Sequence, residues 1–264
     1  MILEKIETPS SGFSTRLVRK GALIEETYLA FRAWDITMSV RENLDAIRRT
    51  NSIGAKNNGW LREIVVTLSS RFSRVADIQP LVHLAQKGFP VEKWKHCLLW
   101  HIGPADNLYF AFATNWLIEQ HRRGVQSLRT EDVVPFVRDI THGQAKGGGD
   151  LSQYGLVRAG RDLLRMASDF ELLTTGTIKH FTSHHLPEDC FLYVCHGIFD
   201  REANPFRVVN SKDWHLFLMT ARDVEQELFR LHQFKKVHYE VAGSLSQLTL
   251  PCKSLMEYAQ EMTA

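Results

Sequence analysis

Paired cysteines are missing from this sequence. Cys97, Cys190, Cys195 and Cys252 show no CxxC spacing, and nothing before Phe13 reads as a secretory leader. A disulfide framework is thereby excluded, and a reducing cytoplasm is the expected compartment. Long apolar runs are missing too. Even CLLWHIGPADNLYFAFATNWLI is broken by Pro104, Asp106 and Asn107, well short of the ~20 apolar residues a membrane span requires. GxxxxGK[ST], GxGxxG, GxSxG and HExxH are all absent, and Gly147, Gly148 and Gly149 follow no strand. These gaps remove the readily recognised nucleotide-binding, lipase-like and metalloprotease readings. An excess of one charge is also lacking: 32 basic against 30 acidic residues leave +2. Any nucleic-acid surface is therefore a local patch rather than a global field.

What is present is enough apolar material for a core. With 264 residues, 44% of them hydrophobic, one large or two small domains are expected. The expected fold is mainly α, a helical bundle with helix-turn-helix or winged-helix units and a short β-hairpin. Residues 1–75 form the first unit and 76–264 the second. A loose arm through Pro9, Ser10, Ser11 and Gly12 precedes a first helix over Lys20–Trp34. Ser39 caps a second, VRENLDAIRRT, and Ser52 a third, whose apolar face holds Ile53, Trp60, Leu61, Ile64, Leu68 and Phe72. Lys56, Asn58 and Arg62 fall outside that face. This pair fits a helix-turn-helix, a geometry used both to read DNA and simply to pack small helical domains.

A helical pair follows over 76–101, joined at Gly88, Phe89 and Pro90, and then a long helix from Tyr109 to Arg122 that Gly124 stops. Ser127 or Thr130 caps TEDVVPFVRDIT, and the linker THGQAKGGGD leads into DLSQYGLVRAGRDLLRMASDFELLTTG. At ~100° per residue, Tyr154, Arg158, Arg161 and Arg165 line one edge of this helix, with Leu156, Leu163, Ala167 and Phe170 opposite. Asp150 or Ser152 marks its start and Gly176 its end. ELLTTGTIKHF then reads as strand, turn and strand, a wing carrying Lys179 and His180, so a winged-helix-like unit is expected over about 127–182. Gln153, Tyr154, Arg158, Arg161, Arg165 and Lys179, with Lys56, Asn58 and Arg62, are the candidate DNA-binding residues. Replacing the three arginines by alanine is expected to leave folding nearly intact, since no core contact is lost. Downstream come helices over LPEDCFLYVCHGIFD and DWHLFLMTARDVEQELFRLHQF, an extended pair around Gly243 and Ser244, and a last helix begun by Pro251.

His180, His184, His185, Cys190, Cys195 and His196 cluster in sequence, but without metal-ligand spacing. The cysteines fall on an apolar helix and read as core, as do Cys97 and His101. No metal or other cofactor is expected. The carboxylate pairs Glu25 with Glu26 and Glu131 with Asp132 sit at helix starts, where they complement the dipole. No catalytic residue is assigned.

The order of these features resembles the BrxA-like family of bacterial BREX phage-defence systems. The resemblance lies in GFSTRLVRKGALIEETYLAF, SVRENLDAIRRTNSIGAKNNGWLREIVVTLSSRF, LSQYGLVRAGRDLLRMASDFELL and the tail DWHLFLMTARDVEQELFRLHQFKKVHYEVAGSLSQLTL. It implies a mainly helical, non-catalytic accessory protein with a NusB-like part that binds double-stranded DNA. The implied partners are the methyltransferase, ATPase and phosphatase-like proteins of the system. This sequence is longer than the family pattern at 76–104 and at the carboxyl end. Two readings stand: direct contact with duplex DNA through basic helices, or a scaffold docking an acidic partner through the same surfaces. RNA binding is a third, less supported because no aromatic stacking platform on strands is evident.

Overall fold

Left-handed backbone decides where many of the helices begin and stop. The computed structural model describes residues 12–72, 78–143, 149–243 and 245–264. The arm through residue 11, the unit border at 75 and 76, residues 144–148 of the linker and Ser244 lie outside these. Gly21 (φ +75°) and Leu23 (φ +53°) interrupt the expected first helix, leaving a 3₁₀ turn at Val18–Lys20 and α1 at Ile24–Arg32. α2 spans Val40–Thr50 behind a reciprocal capping box: Ser39 Oγ accepts from the Glu42 N–H, and the Glu42 carboxylate accepts from the Ser39 N–H at 2.8 Å. α3 spans Asn58–Phe72. Ser52 does not cap it; Asn57 does, its Oδ1 accepting from the Trp60 N–H at 2.8 Å. The connection is therefore the longer loop 51–57, tied by Asn51 side-chain bonds to Ala55.

α4 (Gln79–Gln86) and α5 (Val91–Ala105) meet at Gly88 as expected. α5 is the central post. It packs on α1, α3, α4, α6 (Asn107–Ala111) and α10 (Glu188–Glu202), and its Trp94, Cys97, Leu98, Leu99 and Ile102 are fully buried. A helix apolar on every side has to be covered on every side. α10 approaches α5 at Gly197, where a Cβ would lie 2.2 Å from the Trp100 ring. The long helix after α6 continues through a π segment, Phe112–Leu117, into α7 (Ile118–Arg122). The Thr114 carbonyl in that segment accepts a hydrogen bond from His215 Nδ1 at 3.0 Å.

α8 (Thr130–Ile140) and α9 (Gln153–Asp169) form a tight pair, with Gly160 letting α9 close on the Thr130 carbonyl. Neither Ser127 nor Thr130 caps α8; the Asp132 carboxylate accepts the Arg129 N–H at 2.7 Å. Ser152 caps α9 as expected, but the helix ends at Asp169, not near Gly176. Glu171 takes the left-handed conformation (φ +59°), and the Leu172 N–H reaches back to the Ala167 carbonyl at 2.9 Å. The Glu171 carboxylate pairs with Lys95 at 2.6 Å. The expected strand pair at 171–181 is reduced to single antiparallel bridges, Leu173 with Phe181 and Leu128 with Lys179.

The helix expected over 213–234 is split. A 3₁₀ turn at Lys212–Phe217 ends where Leu218 turns left-handed (φ +59°), and Thr220 caps α12 (Ala221–Gln233). A short α11 (Pro205–Val209), capped by Asn204, precedes that turn and was not foreseen. β1 (His238–Ala242) and β2 (Leu245–Thr249) pair antiparallel across Gly243, and Tyr239 and Leu248 are their buried residues. Ser254 rather than Pro251 starts α13 (Leu255–Glu261). The protein is thus mainly helical, with one small two-stranded sheet among the described residues, and no described helix is long and apolar enough to cross a membrane.

Burial keeps several imidazoles neutral. Desolvation lowers His96 and His101 to about 3 and His184 and His196 to about 4. These folded-state values lie below the ordinary value near 6.5, so the unfolded chain takes up protons first as pH falls. Stability from these groups is present in full above about pH 7 and is lost as pH falls from about 6.5. Thermal melts are expected to hold a constant Tm from pH 8 to 7 and to lose several degrees by about pH 5. A Tm unchanged down to pH 5 contradicts neutral, buried imidazoles.

Candidate nucleic-acid interface

The charged edge of α9 is real and lies at the surface. Tyr154 is 74% exposed, and the Arg158, Arg161 and Arg165 side chains are 36%, 64% and 48% exposed. Leu156, Leu163, Ala167 and Phe170 are buried on the opposite side, as the helical period requires. Gln153 is exposed at the first turn, where its Oε1 accepts from Arg138 at 3.4 Å.

The 3₁₀ turn at Val18–Lys20 packs against α9 and adds positive charge that the sequence reading missed. Arg165 Nη2 donates to the Arg19 carbonyl at 3.0 Å, so the two elements are joined at the edge itself. Arg19 is exposed there, and Arg16, two residues before the turn, is exposed as well. Lys20 pairs with Glu63 of α3 at 2.6 Å, and that hydrogen bond, with the lysine charge and those of Arg16 and Arg19, holds the Glu63 carboxyl below its usual range. The run Arg16, Arg19, Lys20 was visible in the sequence, at spacing that gathers charge on one side of a short helix. Its partner lies about 146 residues away, and only the fold reveals that. A cleft of about 500 Å³ opens next to Arg165, walled by Lys20, Trp60, Lys95 and Asp169.

One acid sits under the edge. Asp162 Oδ2 is 3.8 Å from Arg158 Nε, and its Oδ1 is 3.8 Å from Arg161 Nε and 3.7 Å from Arg165 Nη2. Its side chain is 4% exposed, and burial raises its pKa against the pull of the arginines. The spacing RxxRDxxR, with an acid at i+4 of one arginine and i−3 of another, was the signal available for it. It also alters one expectation: with the arginines gone, Asp162 is a buried acid without counter-charges, so the triple alanine replacement is not neutral for folding.

The other candidates are dispersed. Lys56, Asn58 and Arg62 are all exposed, on α3 and the loop before it. Lys179 is half-buried; its backbone pairs with Leu128, and burial lowers its ammonium pKa against the opposing effect of Asp169. The clustered His and Cys residues diverge. His180 bonds the Gln126 carbonyl, His184 packs on His96, and His196 stacks on Tyr258; a hydrogen bond with Cys97 and then burial push the Cys190 thiol up, and burial pushes up that of Cys195. Among the described residues no three His, Cys, Asp or Glu side chains are grouped to hold a metal ion.

No curated protein and no solved structure matches the chain. A comparison with protein families does: residues 11–196 match BrxA. That span takes in the 3₁₀ turn, the α2–α3 pair, α9 and α5, and it covers well over half of the sequence, so the chain belongs to the BrxA family of BREX-associated proteins.

Proposed function

We propose that this protein is a non-catalytic DNA-binding accessory factor of a BREX phage-defence system, which grips the duplex backbone with little sequence preference. One observation carries the reading: Arg158, Arg161 and Arg165 of α9 and Arg19 of the 3₁₀ turn form one exposed basic surface, with the exposed Arg16 two residues before that turn. Guanidinium groups there suit phosphate oxygens, and phosphate contacts position without reading sequence. The bridges at Leu128–Lys179 and Leu173–Phe181 flanking the α8–α9 pair support a winged-helix use of α9. Lys56, Asn58, Arg62, Gln153, Tyr154 and Lys179 are the further contacts proposed. BrxA is not a known catalytic family, in keeping with an accessory role beside the methyltransferase, ATPase and phosphatase-like proteins.

Purified protein is expected to shift mixed-sequence duplex DNA at ~50 mM salt and micromolar concentration. If the five arginines each meet a phosphate, log affinity falls against log salt with a slope of about −4.5, a loss of roughly 500-fold between 50 and 200 mM. Single strands and RNA in the same titration test the RNA reading. A scaffold is the second reading, favoured by the exposure of Tyr154 and Val157 on the same helix. Absence of any shift on duplex DNA at low salt decides for the scaffold.

A further inference from the structure

Three arginines on a helix edge need no acid among them to bind phosphate, yet Asp162 lies beneath this one. We infer that Asp162 is the internal counter-anion of the α9 stripe and limits the affinity with which that stripe takes a phosphate backbone, an inference that rests on the DNA-binding reading above.

The geometry distinguishes this from an ordinary ion pair. All three guanidinium groups stand 3.7–3.8 Å from the carboxylate, outside hydrogen-bond reach, and they approach it from i−4, i−1 and i+3. Asp162 Oδ2 and Arg158 Nε are both buried without a hydrogen-bond partner among the described residues. A buried carboxylate without hydrogen bonds is a poor device for stability, since its desolvation goes uncompensated. It is an effective device for charge, because it lowers the stripe from three positive charges to two. The arginines feel its field without donating a hydrogen bond to it; Arg165 gives Nη2 to the Arg19 carbonyl, and each side chain remains at least a third exposed. A phosphate bound by one of them lies within about 8 Å of Asp162, close enough for repulsion that weakens binding about three- to tenfold. The penalty is the same for every DNA sequence. It therefore lowers phosphate-only binding and leaves more of the discrimination to base-edge or partner contacts.

The test uses the full chain and a labelled mixed-sequence duplex at ~100 mM salt, with wild type, Asp162→Asn and Asp162→Ser, each also melted thermally. Both variants are expected to bind about three- to tenfold more tightly than wild type, with Tm unchanged or raised. Folded variants that bind equally or more weakly overturn the inference and leave the DNA reading standing. Failure of wild type and variants alike to bind overturns the DNA reading, and this inference with it. A chain that tolerates neither substitution makes Asp162 a structural group and overturns the inference as well.

Discussion

Replacing Arg158, Arg161 and Arg165 together by alanine is expected to flatten the salt dependence of duplex binding by about 2.7 in slope, ~0.9 for each lost phosphate contact. With the same affinity at 1 M salt, that slope predicts roughly 170-fold weaker binding at 150 mM. Asp162 complicates the stability side. Stripped of its arginines, its buried carboxylate is expected to reduce stability by about 1–3 kcal/mol, or several degrees in Tm. Adding Asp162→Asn to the triple variant is expected to restore Tm but not DNA binding, and this separates loss of a binding surface from loss of fold. If the quadruple variant binds DNA with the wild-type slope, the α9 edge faces solvent or a protein partner, and the duplex contacts lie elsewhere.

The legible parts of this fold were those with local chemistry. Ser39 and Glu42 announce α2 three residues apart, Ser152 announces α9, and Gly243 announces the β1–β2 turn. The hidden parts put an unexpected residue into left-handed backbone. Glu171 and Leu218 stop helices that glycine would have been expected to stop, and Glu171 is held there by Lys95, a partner 76 positions earlier in the chain. The same division runs through the site. A period of 3.6 residues was enough to align Arg158, Arg161 and Arg165, whereas Arg19 joins them only because the chain returns to α9. The wing was read from alternation in ELLTTGTIKHF, but a single bridge forms within that stretch, Leu173 with Phe181, flanked by the Thr174 N–H donating to the His180 carbonyl. Lys179 pairs instead with Leu128, ahead of α8, a register that no local pattern encodes.

Arg71 is the residue on which that return of the chain depends, and its removal is expected to have the largest effect on stability. It lies in the last turn of α3, fully buried. Its Nη1 donates to the Ala22 carbonyl at 2.9 Å, and its Nη2 to the carbonyls of Gly21 at 2.5 Å and Leu17 at 3.5 Å. Desolvation pulls its pKa down to about 10, opposed by Asp106 and Asp169, so the group stays charged at neutral pH. The fork thus ties down the stretch from Leu17 to Ala22, which carries Arg19 and Lys20 to the edge of α9. Arg71→Met keeps much of the volume but orphans the carbonyls and removes the cation that faces Asp106 and Asp169. The expected loss is about 3–5 kcal/mol, or on the order of 10 °C in Tm for a chain of this size. Arg71→Lys keeps the charge but cannot reach three carbonyls at once, so an intermediate Tm is expected. Both variants are also expected to bind duplex DNA with a shallower salt slope, by up to about 1.8 if Arg16 and Arg19 leave the interface. A methionine variant that melts with wild type shows that apolar packing alone holds the turn, and one that melts early yet keeps the full slope shows that Arg16 and Arg19 do not touch DNA.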